Sequence, residues 1–436
     1  MWLDEIEIPI NRPSTDGSWF NSIREEVRSQ IAPDCVVVRF AVTSCTRAKA
    51  IVEVLLLHSV NEADRNGYPS VFESMTRPYE DTSSFNVVLV IPTGIGAEIG
   101  GHAGDGGPVV KLLASISDTV VIHPNVVNAS DINEMPENSL YVEGSALSRL
   151  LLGQIGLQRV RSNRILLVSE EHRDRYVRHS VLNAVNAARA TFGIDCTQVI
   201  QSRPPFRMSA SYSHSGRAIG RVSEFGGLLD TLRGLRTEYD AIAISTTIDV
   251  PQEYHQEYFN AGGGMVNPWG GVEAMLTHTV TSLLNVPSAH APIADSLRLS
   301  KADPGVVDPR MAAEAISLTY LQCVLKGLQK SPRILQRPPL GRSGIFDVTK
   351  ISCLIIPDGC IGIPTLAALS QGIPVIAVRE NRNLMKNDLC LLPWRRGQLL
   401  IAENYWEAAG LAAAMKAGVD PRSVRRPIRP VETSSD

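Results

Sequence analysis

The sequence lacks a marked excess of charge of either sign and has no long apolar run. Its 436 residues carry 42 Lys and Arg against 45 Asp and Glu, a formal net charge of −3. This balance argues against a general nucleic-acid-binding protein, which needs a basic surface. Apolar runs such as 54–57 and 87–91 are far shorter than the roughly 18 residues of a membrane-spanning helix. We therefore expect neither nucleic acid nor membrane among the partners.

Cysteine patterns that would indicate disulfides or structural zinc are also missing. The seven cysteines are irregularly spaced and form no C-x-x-C pair, which is typical of a reduced intracellular protein. The N-terminal residues show neither the basic nor the apolar region of a secretory signal. We therefore predict a cytoplasmic protein. Its 44% apolar residues suffice for a large hydrophobic core.

Short, near-continuous apolar strands alternate with helical segments from about residue 85 onward, which indicates parallel sheets covered on both faces. We predict an α/β fold with two Rossmann-like units of mostly parallel sheet and a small N-terminal α+β part. The predicted divisions are an N-terminal part at 1–82, a first unit with a glycine-rich loop at 83–250, a loop-rich and helical connector at 251–345, a second unit at 346–420 and a mobile tail at 421–436.

Two strand-to-loop crossings resemble each other. The string LVIPTGIG at 89–96 matches LIIPDGCIG at 354–362 in its apolar strand, its Ile-Pro and its glycines. Ligands of parallel sheets bind outside the carboxyl ends of the strands. Either both loops line one cleft between the two units, or the similarity of two α/β turns is a coincidence.

The glycine-rich string at 92–108 holds seven glycines between a strand and a helix. Glycine permits close backbone approach, and the amides at a helix start favour an anion. The string is neither a phosphate-binding P-loop nor a dinucleotide-binding fingerprint, so a long turn is the alternative. The predicted ligand-binding residues here are Thr93, Gly94, Gly96, Gly100 and Gly101.

Candidate acid–base residues lie in and after this string. His102 is predicted as general acid or base because histidine exchanges protons near neutral pH. Asp105, three residues on, would orient it. His123 and Asn125 end the next strand, at the sheet edge where sites form. In each case, a histidine bonded to a local carbonyl is the alternative.

A second unusual string, NPWGGVE at 267–273, adds Asn267 as a ligand-binding candidate and Glu273 as a catalytic carboxylate. His278 and His290 follow. A metal site built from His102, His123, His278 and His290 is conceivable, although five residues between Glu273 and His278 is not the spacing of a helical metal pair. The sequence specifies no cofactor.

The third string, PDGCIGIPT at 357–365, resembles the donor-side loop of two-domain glycosyltransferases and sugar-nucleotide epimerases, where a glycine loop and a helix start hold a diphosphate. It supplies Asp358 as a catalytic candidate, with Gly359 and Thr365 as ligand-binding candidates. Arg379 and Asn381, after the next strand, are further candidates for an anionic substrate. A solvated loop is equally compatible with these charges.

Together the strings resemble a family of bacterial and plastid proteins known as domain of unknown function 3326, over about residues 85–427. The resemblance rests on VVLVIPTGIGAEIGGHAGDGGPVVKLLA, VIHPNVVNASDINEMPENSLYVEGSALSRLL, MVNPWGGVEAMLTH and IPDGCIGIPTLAALSQGIPVIAVREN, which occur here in that order. It implies one conserved architecture and a soluble metabolic role, and it brings no activity.

We therefore expect a metabolic enzyme that acts on a small anionic metabolite, a carboxylate or phosphate, by His and carboxylate acid–base chemistry in an inter-domain cleft. One alternative is a nucleotide-sugar glycosyltransferase or epimerase. Another is a non-catalytic metabolite-binding or assembly protein. A small-molecule ligand and a homo-oligomer are the expected partners, and the reaction class stays open.

Overall fold

The computed structural model describes residues 1–13, 19–129, 132–202, 206–260, 262–294, 304–317, 320–428 and 430–431. Its strands are β1 Trp2–Asn11, β2 Val36–Cys45, β3 Lys49–His58, β4 Asn86–Leu89, β5 Thr119–Ile122, β6 Ser139–Tyr141, β7 Ile155–Gln158, β8 Arg164–Glu170, β9 Asp195–Ser202, β10 Arg207–Tyr212, β11 Ala218–Ser223, β12 Ala241–Thr246, β13 Ser288–Pro292, β14 Arg333–Gln336, β15 Cys353–Pro357, β16 Ile361–Gly362, β17 Val375–Val378 and β18 Leu399–Ala402.

The helices alternate with these strands over most of the chain. They are α1 Trp19–Gln30, α2 Glu62–Gly67, α3 Gly107–Ala114, α4 Pro124–Val127, α5 Gly144–Leu151, α6 Arg175–Phe192, α7 Phe225–Gly234, α8 Gln252–Asn260, α9 Gly270–Leu284, α10 Ala312–Ile316, α11 Leu321–Gln329, α12 Ile363–Gln371 and α13 Tyr405–Lys416. A mixed α/β fold is thereby confirmed. None of the described helices is both long and apolar enough to cross a membrane.

A six-stranded sheet has the order β18-β17-β15-β4-β5-β6. All its pairs are parallel. Every residue of β4, β5, β15 and β17 is buried, as expected for a parallel sheet covered on both faces. The chain moves outward from β4 in one direction and from β15 in the other, so the order reverses between these two strands.

This sheet differs from the prediction of two Rossmann-like units. Strands of the predicted units 83–250 and 346–420 lie side by side in it, with Val87 paired to Cys353 and Leu89 to Ile355. Three later strands of 83–250, β8, β9 and β12, join β13 in a separate four-stranded parallel sheet, β13-β12-β8-β9. Two Rossmann-like units with the predicted divisions are not confirmed, because apolar runs identify strands but do not specify which strands pair.

An antiparallel sheet, β10-β11-β1-β3-β2-β16, joins the N-terminal strands to later parts of the chain. A buried ionic network crosses it. The Arg217 guanidinium contacts Glu5 and donates to Glu53 at 2.6 Å, while Arg39 donates to Glu5 at 2.7 Å. Burial alone would raise the pKa of Glu5, but Arg217 and Arg39 outweigh it and the pKa is lowered.

We expect Arg217→Met to destabilise the protein by about 3–5 kcal/mol, because it leaves buried carboxylates without their partner. Urea unfolding measures the change. Arg207→Met is the control, since Arg207 is exposed at the start of the adjacent strand β10, and its effect is expected within about 0.5 kcal/mol. Equal stability of Arg217→Met and wild type would contradict a stabilising role for the network.

Candidate active site

A cavity of about 640 Å³, here called the main cavity, opens at the carboxyl ends of both parallel sheets. Its volume lies in the range typical of small-molecule sites. The loop after β4, the starts of α4 and α5, and helices α8 and α9 contribute to its wall. Ten of the predicted site residues line it: Thr93, Gly94, Gly101, His102, His123, Asn125, Asn267, Glu273, His278 and His290.

Glu143 and His278 form the closest acid–imidazole pair in this cavity, with 2.6 Å between Glu143 Oε1 and His278 Nδ1. Glu143 precedes α5, and its other oxygen accepts the amides of Ser145 and Ala146, which caps the helix. Burial alone would raise the pKa of Glu143, but His278 and these donors lower it. Glu143 is thus an ionised carboxylate in close electrostatic contact with His278, whose Nδ1 lies outside hydrogen-bond geometry.

His123 lies next to this pair at the end of β5. Its Nε2 accepts the backbone amide of Ile91 at 3.1 Å, so the proton of the neutral ring is on Nδ1. Burial, assisted by the nearby His278, lowers the pKa of His123 to about 4. His123 is therefore neutral near pH 7. Its Nδ1–H has no hydrogen-bond acceptor among the described residues.

A second acid–imidazole pair also includes a residue of α9. Glu273, in the first turn of α9, places Oε2 at 3.5 Å from Nδ1 of His290 on β13. The Nε2 of His290 is 2.9 Å from the Thr246 hydroxyl at the end of β12. The Thr246 contact orients the ring, and the Glu273 carboxylate faces its other nitrogen.

His102 has a different partner from the one the sequence predicted. Its Nδ1 is 2.8 Å from the hydroxyl of Tyr258 on α8, whereas Asp105 accepts the amide of Gly100 at 2.8 Å. Burial lowers the pKa of His102 to about 4 and raises that of Asp105 to about 7. A tyrosine hydroxyl, rather than a carboxylate, therefore positions this histidine.

Glu314 on α10 continues the same network. Its Oε1 accepts the amide of Ala103 at 2.6 Å and the Asn267 side chain at 3.1 Å, and Asn267 also donates to Tyr258 at 3.3 Å. Burial raises the pKa of Glu314 to about 7. The Oδ1 of Asn267 accepts the amides of Trp269 and Gly270, so this residue links the start of α9 to the carboxyl group.

Two predicted ligand-binding asparagines hold the glycine-rich loop in place. The Asn125 amide donates to the carbonyls of Ile91 and Gly100, both at 2.8 Å. The fully buried Asn381 bonds both the amide and the carbonyl of Ile99 at 2.9 Å. Because buried backbone groups need partners, these side chains stabilise the loop.

Other predicted site residues lie away from the main cavity. Asp358 accepts the amide of Gly359 at 2.9 Å and approaches Arg379 only to 4.0 Å, while Arg379 is more than half exposed and pairs with Glu403. The predicted residues that line neither this cavity nor the second one described below are Gly96, Gly100, Asp105, Asp358, Gly359, Arg379 and Asn381. Thr365 lines the second cavity only.

Metal binding by the four candidate histidines receives no geometric support. They line one cavity, but within the part of the chain that the structure describes no three or more His, Cys, Asp or Glu side chains are grouped to hold a metal ion. The pairs Glu143–His278 and Glu273–His290 instead place a carboxylate oxygen 2.6 and 3.5 Å from an imidazole Nδ1. Neither Nδ1 meets hydrogen-bond geometry, so each contact is electrostatic, and such proximity can serve acid–base chemistry.

The sequence analysis does not predict three residues of the candidate site, Glu143, Tyr258 and Glu314. Glu143 lies two residues after the short strand β6 and immediately before α5, so its position near a strand end could have identified it. Tyr258 and Glu314 lie on helices, and nothing in their local sequence distinguishes them from residues that pack or face solvent.

The fold and cavity define an α/β protein with imidazole–carboxylate pairs at the carboxyl ends of its parallel strands. The chain belongs to the family described as protein of unknown function (DUF3326), whose model matches residues 86–425. A protein of Synechococcus sp. (strain ATCC 27144 / PCC 6301 / SAUG 1402/1), named an uncharacterized lipoprotein, is 34% identical over 347 residues, which cover 78% of this chain and 93% of that protein. No solved structure matches the chain.

The raised pKa of Glu314 predicts a pH-dependent stability. Between the ordinary value of 4.5 and about 7 the folded protein keeps a proton that the unfolded chain releases, so stability falls as pH rises through this window. Glutamine at 314 does not titrate. In Glu314→Gln we therefore expect the melting temperature to fall less steeply with rising pH than in the wild type. Glu253→Gln on the exposed face of α8 should keep the wild-type slope. An unchanged slope in Glu314→Gln would refute the raised pKa.

Proposed function

We propose that the protein is an enzyme that acts on a small anionic metabolite by acid–base chemistry in the main cavity. The observation that carries the proposal is the arrangement of Glu143, His278 and His123. An ionised carboxylate lies 2.6 Å from one imidazole, and a neighbouring imidazole is kept neutral with a defined proton. Paired groups held in different protonation states are typical of acid–base catalysis.

His278 is the proposed proton acceptor. Glu143 contacts Nδ1 and stabilises the imidazolium that forms, while His278 Nε2 has no hydrogen-bond partner among the described residues and lies close to Gly144 at the cavity wall. A methyl group on Gly144 would come within 2.6 Å of this ring. Glycine at 144 therefore keeps the imidazole accessible.

His123 is the proposed hydrogen-bond donor to substrate. Because its Nε2 is occupied by the Ile91 amide, only Nδ1–H can donate. A neutral imidazole that donates a hydrogen bond can stabilise an oxygen on which negative charge develops. The pKa of about 4 means that His123 is neutral near pH 7 and keeps the Nδ1 proton that it would donate.

Recognition of the anionic group is not explained by the main cavity itself. Its described lining contains Glu143, Glu273 and Glu314 but no Lys or Arg. The same observation gives little support to nucleotide-sugar transfer, because a diphosphate is usually bound by cationic side chains or free helix-start amides. Non-catalytic binding remains the alternative that the experiment below distinguishes.

Cytoplasmic localisation and homo-oligomerisation stay predictions. The Synechococcus relative carries the name lipoprotein, which favours testing the location of this protein directly. Cell fractionation with an antibody against the full chain would give a soluble pool if the prediction holds, and a membrane pool if it fails.

We expect Glu143→Gln and His278→Gln to lower turnover by about 10²–10⁴-fold and to leave the fold intact. A panel of small carboxylates and phosphate esters, followed by proton NMR in heavy water with the wild-type protein, identifies the substrate first. His214→Gln is the matched control, because the His214 side chain is 94% exposed, and it should retain full turnover.

Two outcomes would contradict the proposal. Unchanged turnover in His278→Gln excludes this histidine as the proton acceptor. Binding of panel members without turnover by the wild type identifies a non-catalytic binding protein instead.

A further inference from the structure

A second cavity of about 130 Å³ adjoins the main one. Four residues line both cavities, Thr93, His123, Gly144 and His278, so the proposed proton acceptor and donor lie where the two cavities meet. Strand β2, helix α5 and the start of α12 contribute to the second cavity. Its volume is well below the several hundred Å³ of a metabolite site, so it can hold only one substituent.

Charge is divided between the two cavities. The main cavity is lined by three glutamates and, among the described residues, by no Lys or Arg. The second cavity is lined by Arg39, Arg149 and Arg217 and, in the described part of the chain, by no Asp or Glu. A substrate that spans both would place a negatively charged group in the second cavity.

Only one of the three arginines is available for such a group. Arg39 and Arg217 are paired with Glu5 and Glu53. Arg149 is only 5% exposed and donates from Nη2 to Asn285 at 2.8 Å, while its Nε and Nη1 have no hydrogen-bond partner within the described residues. Buried donors without acceptors are costly.

The charge state of Arg149 fits this availability. Burial lowers its pKa to about 10, so the guanidinium remains positive near neutral pH. An acceptor supplied by a ligand would satisfy the unpaired N–H groups with strong, charge-assisted hydrogen bonds.

The start of α12 adds a second favourable feature. Ile363, Pro364 and Thr365 line the second cavity, and the Gly362 cap makes no side-chain hydrogen bond to this helix start. The Thr365 hydroxyl donates to the Cys360 carbonyl at 2.7 Å, so it does not cap the helix start. Pro364 has no N–H, which leaves the amides of Ile363 and Thr365 for an anion. A helix start without a capping side chain favours an anion.

We infer that the second cavity is the subsite for the carboxylate of the substrate, with Arg149 as its counter-ion. The inference rests on the proposed function and specifies the substrate class as a small carboxylic acid. With its carboxylate beside Arg149, the substrate places the atoms next to that carboxylate between His123 and His278. There His278 can remove a proton, and His123 can donate a hydrogen bond to the oxygen that becomes negatively charged. The body of the substrate occupies the main cavity.

Thermal unfolding with small carboxylates tests the subsite. Acetate, propionate and lactate should raise the melting temperature of the wild type above that in sodium chloride of equal ionic strength. Arg149→Met keeps the apolar stem and removes the charge. We expect it to weaken the apparent Kd for carboxylate at least about tenfold, whereas Arg149→Lys should recover part of the effect. Inorganic phosphate, run in parallel, shows whether a second anion shares the site.

Controls separate this inference from the proposed function. Arg159→Met removes an arginine that lines neither cavity and bonds only Thr119 at 3.2 Å in the described structure, and it should keep the carboxylate response. His278→Gln should keep carboxylate binding while it loses turnover. Carboxylate binding without any turnover would therefore retain the subsite and reject the enzyme.

The inference is overturned if wild type shows no carboxylate response, or if Arg149→Met responds as wild type does. A preference for phosphate over all three carboxylates would also overturn the stated class. In Arg149→Met without ligand, a folded protein with wild-type circular dichroism confirms that a lost response reflects the subsite and not the fold.

Discussion

The parallel pairing of β4 with β15 is the constraint on which the rest of the structure depends. The chain moves outward from these strands in opposite directions, so the loops that follow them separate and leave a crevice at their carboxyl ends. Thr93 follows β4 and lines both cavities, and Cys360 to Thr365 follow β15 and line the second. The pairing of two distant segments thus creates the place where both cavities meet.

Whether a buried carboxyl group near the cavities is ionised depends on the side chains that contact it. Glu143 and Glu5 are buried and stay ionised because His278 and the arginines contact them. Glu314 and Asp105 are buried without a cationic contact of that kind, and their pKa values rise to about 7. Since burial of an unpaired charge is unfavourable, the carboxyl groups that keep protons and those that lose them are set by neighbours from distant segments.

The sequence predicted the histidines better than the fold. His102, His123, His278 and His290 were selected from strand ends and glycine-rich strings, and all line one cavity. The two-unit architecture is not confirmed, because local apolarity does not encode strand partners. Asp105, Asn125 and Asn381 were selected as site residues, but they satisfy backbone groups of the glycine-rich loop. Arg149 could not be predicted, because the sequence of an apolar helix does not show which cavity its arginine lines.

The second cavity also depends on N-terminal strands that lie outside the family match at 86–425. Strand β2 pairs with β16, placing Val42 opposite Ile361 immediately before α12, and residues 38–41 of β2 line the second cavity. The same strand carries Arg39, which the ionic network holds against Glu5. The N-terminal sheet therefore forms one wall of the small cavity, and the size of the group that fits beside Arg149 depends on how that sheet packs as well as on the family's own residues.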